Sequence, residues 1–121
     1  MKTVLAFMMM LVLGHVASAQ STLNAKSPMA RRNAAINAGI NAEAYDKVAK
    51  YYEKHFDSIS NKKYISFVDF GYKSTQERLF VVNLVTGKVS KFLVTHGKNS
   101  GENDAYSFSN TPESEKSSLG L

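Results

Sequence analysis

Two short apolar segments in the middle of the chain constrain the fold most strongly. Residues 65–70 (ISFVDF) and 79–85 (LFVVNLV) are rich in β-branched and aromatic side chains, which is typical of β-strands. Because apolar residues occupy consecutive positions in both segments, both strands are predicted to be covered on each face of a sheet. A tight turn at Thr86 and Gly87 then leads into a third predicted strand over residues 89–95. The order predicts a mainly antiparallel sheet.

Before the strands, apolar residues recur with the period of a helix. Asn41 is a favourable N-cap, and Glu43 lies in the first turn, where a negative charge suits the helix dipole. The apolar positions that follow are Tyr45, Val48, Ala49, Tyr52 and Phe56. They predict an amphipathic helix over residues 42–56. The predicted fold class is therefore α+β, with one amphipathic helix packed on a mainly antiparallel, incomplete β-sheet.

The N-terminus has the pattern of a secretory signal peptide. Lys2 precedes an apolar run over residues 4–13, and small residues at Ala17 and Ala19 mark a cleavage site before residue 20. The apolar run is shorter than the roughly 20 residues that a bilayer span requires. The sequence therefore predicts export to the periplasm or cell envelope, with no stable membrane span after cleavage. An uncleaved N-terminal anchor is the alternative.

The predicted organisation has three parts. After the signal peptide over residues 1–19, residues 20–41 are rich in Ala, Asn and Ser and are predicted to be a flexible leader. Within it, Arg31 and Arg32 are expected to be solvated. Residues 42–121 are predicted to form the folded part.

Composition excludes some classes of chemistry. The net charge is +5, which suits contact with anionic envelope polymers and suits solubility equally well. The chain contains 0 cysteines, so neither disulfides nor thiol catalysis can arise within these residues. Nucleic acid is not an expected partner, because the strand aromatics lie inside apolar segments instead of beside a basic track.

The polar loop after the third strand could carry several kinds of chemistry. His96, Glu102 and Asp104 are candidate metal ligands, but one cluster without a second is a weak metal signal. Ser100 and Ser118 are candidate nucleophiles, although no Gly-x-Ser-x-Gly turn is present. We therefore predict no metal, no cofactor and no catalytic residue in this loop, and expect His96 to form local packing or hydrogen bonds.

Several segments together point to a known family. They are residues 65–70 (ISFVDF), 74–82 (STQERLFVV), 95–103 (THGKNSGEN), 107–110 (SFSN) and 117–120 (SSLG). In this order and spacing, with the preceding helix, they resemble the N-terminal part of the catalytic domain of murein L,D-transpeptidases of the YkuD type. The resemblance covers residues 41–121.

The resemblance implies peptidoglycan cross-linking, with stem peptides as partners. In that family a Cys thiolate attacks a stem-peptide carbonyl, and the resulting thioester passes its acyl group to an amine. A His activates the thiol, and backbone amides hold the oxyanion. That His lies in a His-Gly block and the Cys in a Ser-x-Gly-Cys block, both beyond the matched segments. The chain is therefore interpreted as truncated and inactive by itself; the alternative is a non-enzymatic envelope binding or assembly module.

No catalytic residue is transferred from the family to this chain. His96 and Gly97 belong, by their order, to an earlier element that borders the donor site, and not to the catalytic His-Gly block. The resemblance implies only a substrate rim, made of His96, Gly97, Lys98, Asn99, Ser100, Gly101, Ser117, Ser118 and Gly120.

Overall fold

Three antiparallel strands form an open sheet in the order β1-β2-β3 in this computed structural model. The strands are β1 (Tyr64–Val68), β2 (Leu79–Asn83) and β3 (Val89–Phe92). With two helices beside them, they confirm the predicted α+β class and the antiparallel sheet. The structure describes residues 27–120, so the predicted signal peptide and the first residues of the leader, 20–26, lie outside the described part.

Two α-helices precede the sheet. Helix α1 (Arg32–Asn37) follows a 3₁₀ turn at Pro28–Arg31, and helix α2 (Ala42–Lys54) is the predicted amphipathic helix. The Asn41 side chain caps α2 by accepting a hydrogen bond from the Ala44 amide at 3.0 Å. The helix ends earlier than predicted, so Phe56 lies in a second 3₁₀ turn. Its ring is exposed beneath the Lys62 ammonium and does not join the core.

The core lies between α2 and one face of the sheet. Its buried side chains are Ala35, Ile40, Tyr45, Ala49, Tyr52, Ile65, Phe80, Val82 and Leu84. The Tyr45 ring stacks on Phe67 with 5.4 Å between centroids, and its hydroxyl donates to the Pro28 carbonyl at 2.6 Å. Burial raises the pKa of Tyr45 to about 12. The phenol therefore stays neutral and remains a hydrogen-bond donor at physiological pH.

The described part of the predicted flexible leader, residues 27–41, is helical and packed in the structure. Pro28 and Ile40 are buried, and Ala35 has no exposed surface. The Arg31 guanidinium donates to the carbonyls of Leu84 and Val85. Arg32 pairs with Asp46 of α2, with 2.7 Å between Nε and Oδ1. Tertiary contacts order this segment, and they cannot be predicted from its polar, Ala-rich composition.

The helices cover only one face of the sheet, and the predicted cover on both faces is absent along β1, whereas every residue of β2 is buried or half-buried. Along β1, Ile65 is buried against α2, whereas Tyr64 and Val68 are about 40% exposed. Phe92 of β3 is exposed on the same open face as Val68. The consecutive apolar residues of β1 therefore predicted a strand correctly, but they did not predict which of its faces is covered. Within residues 27–120, no helix is long and apolar enough to cross a membrane.

The turn between β2 and β3 forms as predicted. The Asn83 amide donates to the Lys88 carbonyl at 2.9 Å, and Gly87 adopts φ = 80°, a left-handed conformation that favours glycine. Strand β3 ends at Phe92 instead of continuing to residue 95. Phe92 pairs with Leu79, the first residue of β2, and beyond this pair the Val94 carbonyl accepts hydrogen bonds from the Arg78 side chain.

Candidate functional site

Two of the predicted rim segments lie side by side and are joined by reciprocal hydrogen bonds. The Gly97 amide donates to Ser117 Oγ at 2.8 Å, and the Ser117 amide donates to Ser100 Oγ at 2.8 Å. The Asn99 amide donates to the Glu115 carbonyl at 2.9 Å. We call these contacts of Gly97, Asn99 and Ser100 with Glu115 and Ser117 the serine clasp. It closes a loop of nearly 20 residues that has no helix or strand of its own.

The clasp depends on a close backbone approach at Gly97. A Cβ atom at this position would lie 2.6 Å from both the Glu115 carbonyl oxygen and the Ser117 amide nitrogen. Glu115 itself adopts φ = 54°, an uncommon conformation for a residue with a side chain. Ser100 has no exposed surface. Both segments of the clasp are therefore held in a defined conformation by their mutual contacts.

A buried arginine fixes the start of the loop. Arg78 has no exposed surface, and its guanidinium donates to the Val94 carbonyl from Nε (3.1 Å) and Nη2 (2.8 Å). Its Nη1 donates to the Tyr72 carbonyl at 3.0 Å. The Phe70 ring lies 5.2 Å from the guanidinium carbon. Among the described salt bridges none involves Arg78, so carbonyl dipoles and a ring face stabilise this charge.

The contact between Arg78 and His96 assigns the tautomer of the histidine. Arg78 Nη2 lies 2.8 Å from His96 Nδ1, and a guanidinium can only donate. Nδ1 therefore accepts, and Nε2 carries the hydrogen that it donates to the Gly101 carbonyl at 3.0 Å. Both ring nitrogens are occupied in the neutral form. His96 is thus a local structural residue that joins β3 to the loop, and not a free base or metal ligand.

The tip of the loop presents charged and amide groups to solvent. The Lys98 side chain is 81% exposed, and its ammonium lies 3.7 Å from a Glu115 carboxylate oxygen. Asn99 Nδ2 donates to the Ser114 carbonyl at 3.1 Å and to the Glu115 carboxylate at 3.4 Å. Lys98 and Asn99 are therefore predicted rim residues that a ligand can reach from solvent.

The remaining predicted rim residues lie apart from the tip. Ser118 is exposed, and its hydroxyl is at the limit of hydrogen-bond distance from the Ser109 carbonyl, 3.5 Å. Gly101 adopts φ = 143° and lies beside Asp104 and Tyr106. Gly120 borders a different feature, a groove between α2 and β1. Within the described part of the chain, no three His, Asp or Glu side chains are close enough to hold a metal ion.

Sequence reasoning missed Arg78 as a residue of the site. The available signal was weak, because Arg78 directly precedes an apolar strand but follows another charged residue, Glu77, as in many solvated turns. Phe70 and Phe108 add to the same cluster with 5.4 Å between ring centroids. These contacts connect the matched segments 65–70, 74–82 and 107–110 around one buried guanidinium.

One comparison with known protein families covers most of the chain. A family model described as L,D-transpeptidase catalytic domain matches residues 36–121, which is 86 of the 121 residues. The matched region contains α2, the whole sheet and the serine clasp. No curated protein and no solved structure matches the chain.

Proposed function

Because the chain belongs to the L,D-transpeptidase catalytic domain family, we propose that it supplies the substrate-rim part of a transferase domain that acts on peptidoglycan stem peptides. The family match over residues 36–121 is the observation that carries this proposal. The chain contributes a sheet, a helix that covers one face of it, and a loop that the serine clasp holds in place.

The exposed tip of the loop has the chemistry that a stem peptide requires. Stem peptides carry free carboxylates and backbone amides. Lys98 offers a cation to the carboxylates, and the Asn99 side chain offers an amide in the same turn. Glu115 lies beside both groups, so an incoming carboxylate would compete with the Glu115 carboxylate for Lys98.

By itself the chain is proposed to form no acyl-enzyme. The reaction of the family, as the resemblance implies it, uses a Cys thiolate, and this sequence contains 0 cysteines. The buried serine does not replace it, since Ser100 Oγ already accepts the Ser117 amide. His96 offers no base, since both ring nitrogens are engaged. The proposed activity is therefore binding without turnover.

A binding experiment with a disaccharide-tetrapeptide tests both parts of the proposal. The full chain is expected to bind the peptide weakly by NMR titration and to give no covalent adduct by intact mass. Lys98→Gln should weaken binding about threefold, because an exposed charge pair contributes a fraction of a kcal/mol to about 1 kcal/mol. Lys88→Gln, on the exposed hairpin turn, is the matched control. A covalent adduct would show that the chain contains a nucleophile. Equal binding by Lys98→Gln and Lys88→Gln would show that Lys98 does not contact the peptide.

The second candidate is a non-enzymatic envelope module, which the absence of cysteine favours. Fusing the chain to the His-Gly and Ser-x-Gly-Cys segments of a family member distinguishes a transferase domain from a non-enzymatic module. If the chain is part of a transferase, the fusion is expected to form a thioester with the donor peptide. If it is only a binding module, the fusion binds the peptide but forms no thioester.

Export is proposed from the N-terminal pattern alone. Lys2, the apolar run over residues 4–13 and the small residues at Ala17 and Ala19 support cleavage before residue 20 in the periplasm or cell envelope. N-terminal sequencing of the chain from the envelope fraction should begin at Gln20. Recovery of the chain in the cytosol with residues 1–19 intact would exclude this processing.

A further inference from the structure

Strand β1 presents a free backbone edge. Leu84 donates to the Lys63 carbonyl and the Asp69 amide donates to the Arg78 carbonyl, which sets the alternation along the strand. In this register Ile65 and Phe67 hydrogen-bond with β2, so the amides and carbonyls of Tyr64, Ser66 and Val68 point away from it. Within residues 27–120 no strand pairs with this outer edge. Such an edge is a template for a strand from another chain.

An apolar groove runs beside the free edge. It has a volume of about 580 Å³ and lies between β1 and α2. Its apolar walls come from Ile40, Ala44, Val48, Phe67 and Phe80. A strand added to the edge of β1 would place every second side chain over this groove. The groove therefore selects a strand with apolar residues at alternating positions.

We propose that the occupant is a second copy of the chain, paired through its own β1 in an antiparallel arrangement about a two-fold axis at Ser66. The outward-pointing residues Tyr64, Ser66 and Val68 are symmetric about Ser66, as such an axis requires. The two three-stranded sheets then form one continuous sheet, with the α2 helices on the same side.

The cross-strand pairs of this arrangement are complementary on both faces. On the open face, Tyr64 lies opposite the partner's Val68, an aromatic and β-branched pair that favours strand pairing. On the groove side, Ile65 lies opposite the partner's Phe67, so each copy adds an apolar side chain beside the groove of the other. At both ends Lys63 lies opposite the partner's Asp69, which pairs opposite charges.

The backbone groups of the edge are available for this pairing. Ser66 exchanges amide and carbonyl bonds with the partner's Ser66, and the Val68 amide donates to the partner's Tyr64 carbonyl. The Tyr64 amide donates to Asn61 Oδ1 at 3.3 Å, which is a long hydrogen bond. In the dimer the partner's Val68 carbonyl competes with Asn61 for this amide. Asp69 uses Oδ1 to accept the Gly71 amide, which leaves Oδ2 for the partner's Lys63.

The charges also select the register. A shift of two residues in one direction places Lys63 opposite the partner's Phe67, and a shift in the other direction places Asp69 opposite the partner's Ile65. Either shift loses the charge pairs and puts an ionised group against an apolar one. The register centred on Ser66 is therefore favoured over its neighbours.

Sedimentation equilibrium of the full chain tests the association. A reversible dimer is expected, and Lys63→Glu should raise its dissociation constant about tenfold, because it sets like charges opposite each other at both ends. The double variant Lys63→Glu with Asp69→Lys should restore the original dissociation constant. Lys88→Glu makes the same charge change on the exposed turn after β2 and should leave it unchanged. A monomer at all concentrations, or a dimer indifferent to Lys63→Glu, would overturn the proposal.

Cysteine cross-linking tests the axis itself. The chain has 0 cysteines, so Ser66→Cys introduces a single thiol per copy. Two such residues would face each other at about 5 Å between Cβ atoms, within reach of a short bis-maleimide. Ser90→Cys on β3 is the control, because five strand spacings would separate the two copies by roughly 24 Å. Covalent dimers from Ser66→Cys alone support the arrangement, whereas equal yields from both variants, or none from Ser66→Cys, contradict it.

Discussion

Replacing Arg78 with methionine is expected to lower the free energy of unfolding by about 3 kcal/mol. The substitution preserves much of the side-chain volume but removes the donors that the Val94 carbonyl, the Tyr72 carbonyl and His96 Nδ1 now use. Since Arg78 has no exposed surface, water does not replace these donors without opening the cluster. Urea denaturation followed by circular dichroism measures the loss.

A control and a second readout separate this effect from a general loss of charge. Arg32→Met removes a guanidinium that pairs with Asp46 near the surface and should change the unfolding midpoint far less. In Arg78→Met, the ¹⁵N chemical shift of His96 Nδ1 should change, because that nitrogen loses the hydrogen bond from the guanidinium. An unchanged midpoint, together with unchanged His96 shifts, would show that the cluster is not held by the guanidinium.

Helix α2 and the sheet were predictable because their signals are local. Each signal lies within one short segment of the chain. For α2 it is the apolar spacing from Tyr45 to Tyr52 with the cap at Asn41, and for the hairpin it is Gly87 between two apolar strands. The ends of the elements were less predictable. Strand β3 ends at Phe92, which pairs with the first residue of β2, and the Val94 carbonyl beyond it accepts from the Arg78 side chain, a contact that no local pattern encodes.

The order of residues 27–41 and the exposure of β1 were missed for a related reason. Pro28 is buried with its carbonyl accepting from Tyr45 of α2, and the Arg31 guanidinium donates to carbonyls more than 50 positions later. Consecutive apolar residues in β1 predicted a covered strand, whereas in the structure it is an edge with Tyr64 and Val68 exposed. Burial depends on which elements meet, and composition alone does not specify this.

The candidate site was likewise predicted only in part. The resemblance selected residues 96–101 and 117–120 as a rim, and the structure brings Gly97 and Ser100 together with Ser117 while leaving Gly120 at the groove. It did not predict that His96 would be neutral and fully engaged. That property follows from a donor 18 positions earlier in the sequence. The sequence showed only an arginine next to an apolar strand, and its burial is known from the structure.

Replacing Gly97 with alanine is expected to open the serine clasp. The new Cβ would fall 2.6 Å from the Glu115 carbonyl oxygen and the Ser117 amide nitrogen, and backbone atoms move only if the two segments separate. Separation breaks the hydrogen bonds from the Gly97 amide to Ser117 Oγ and from the Ser117 amide to Ser100 Oγ. We expect a loss of about 2 kcal/mol in the free energy of unfolding, in the range of other overpacked sites.

Hydrogen exchange and stem-peptide binding then show whether the clasp positions the rim. In Gly97→Ala the amides of Asn99 and Ser117 should exchange at least about tenfold faster, which corresponds to a local opening that costs over 1 kcal/mol less than before. Amides of α2 should show a smaller change. The matched control is Gly71→Ala, where the nearest atom is a movable Asp69 carboxylate oxygen at 3.0 Å.

Stem-peptide binding gives the second readout. If the rim binds stem peptides through Lys98, Gly97→Ala should also bind them more weakly, because the lysine then leaves its place beside Glu115. Faster exchange with unchanged binding would assign the clasp a purely structural role, and unchanged exchange would show that the two segments tolerate the extra atom.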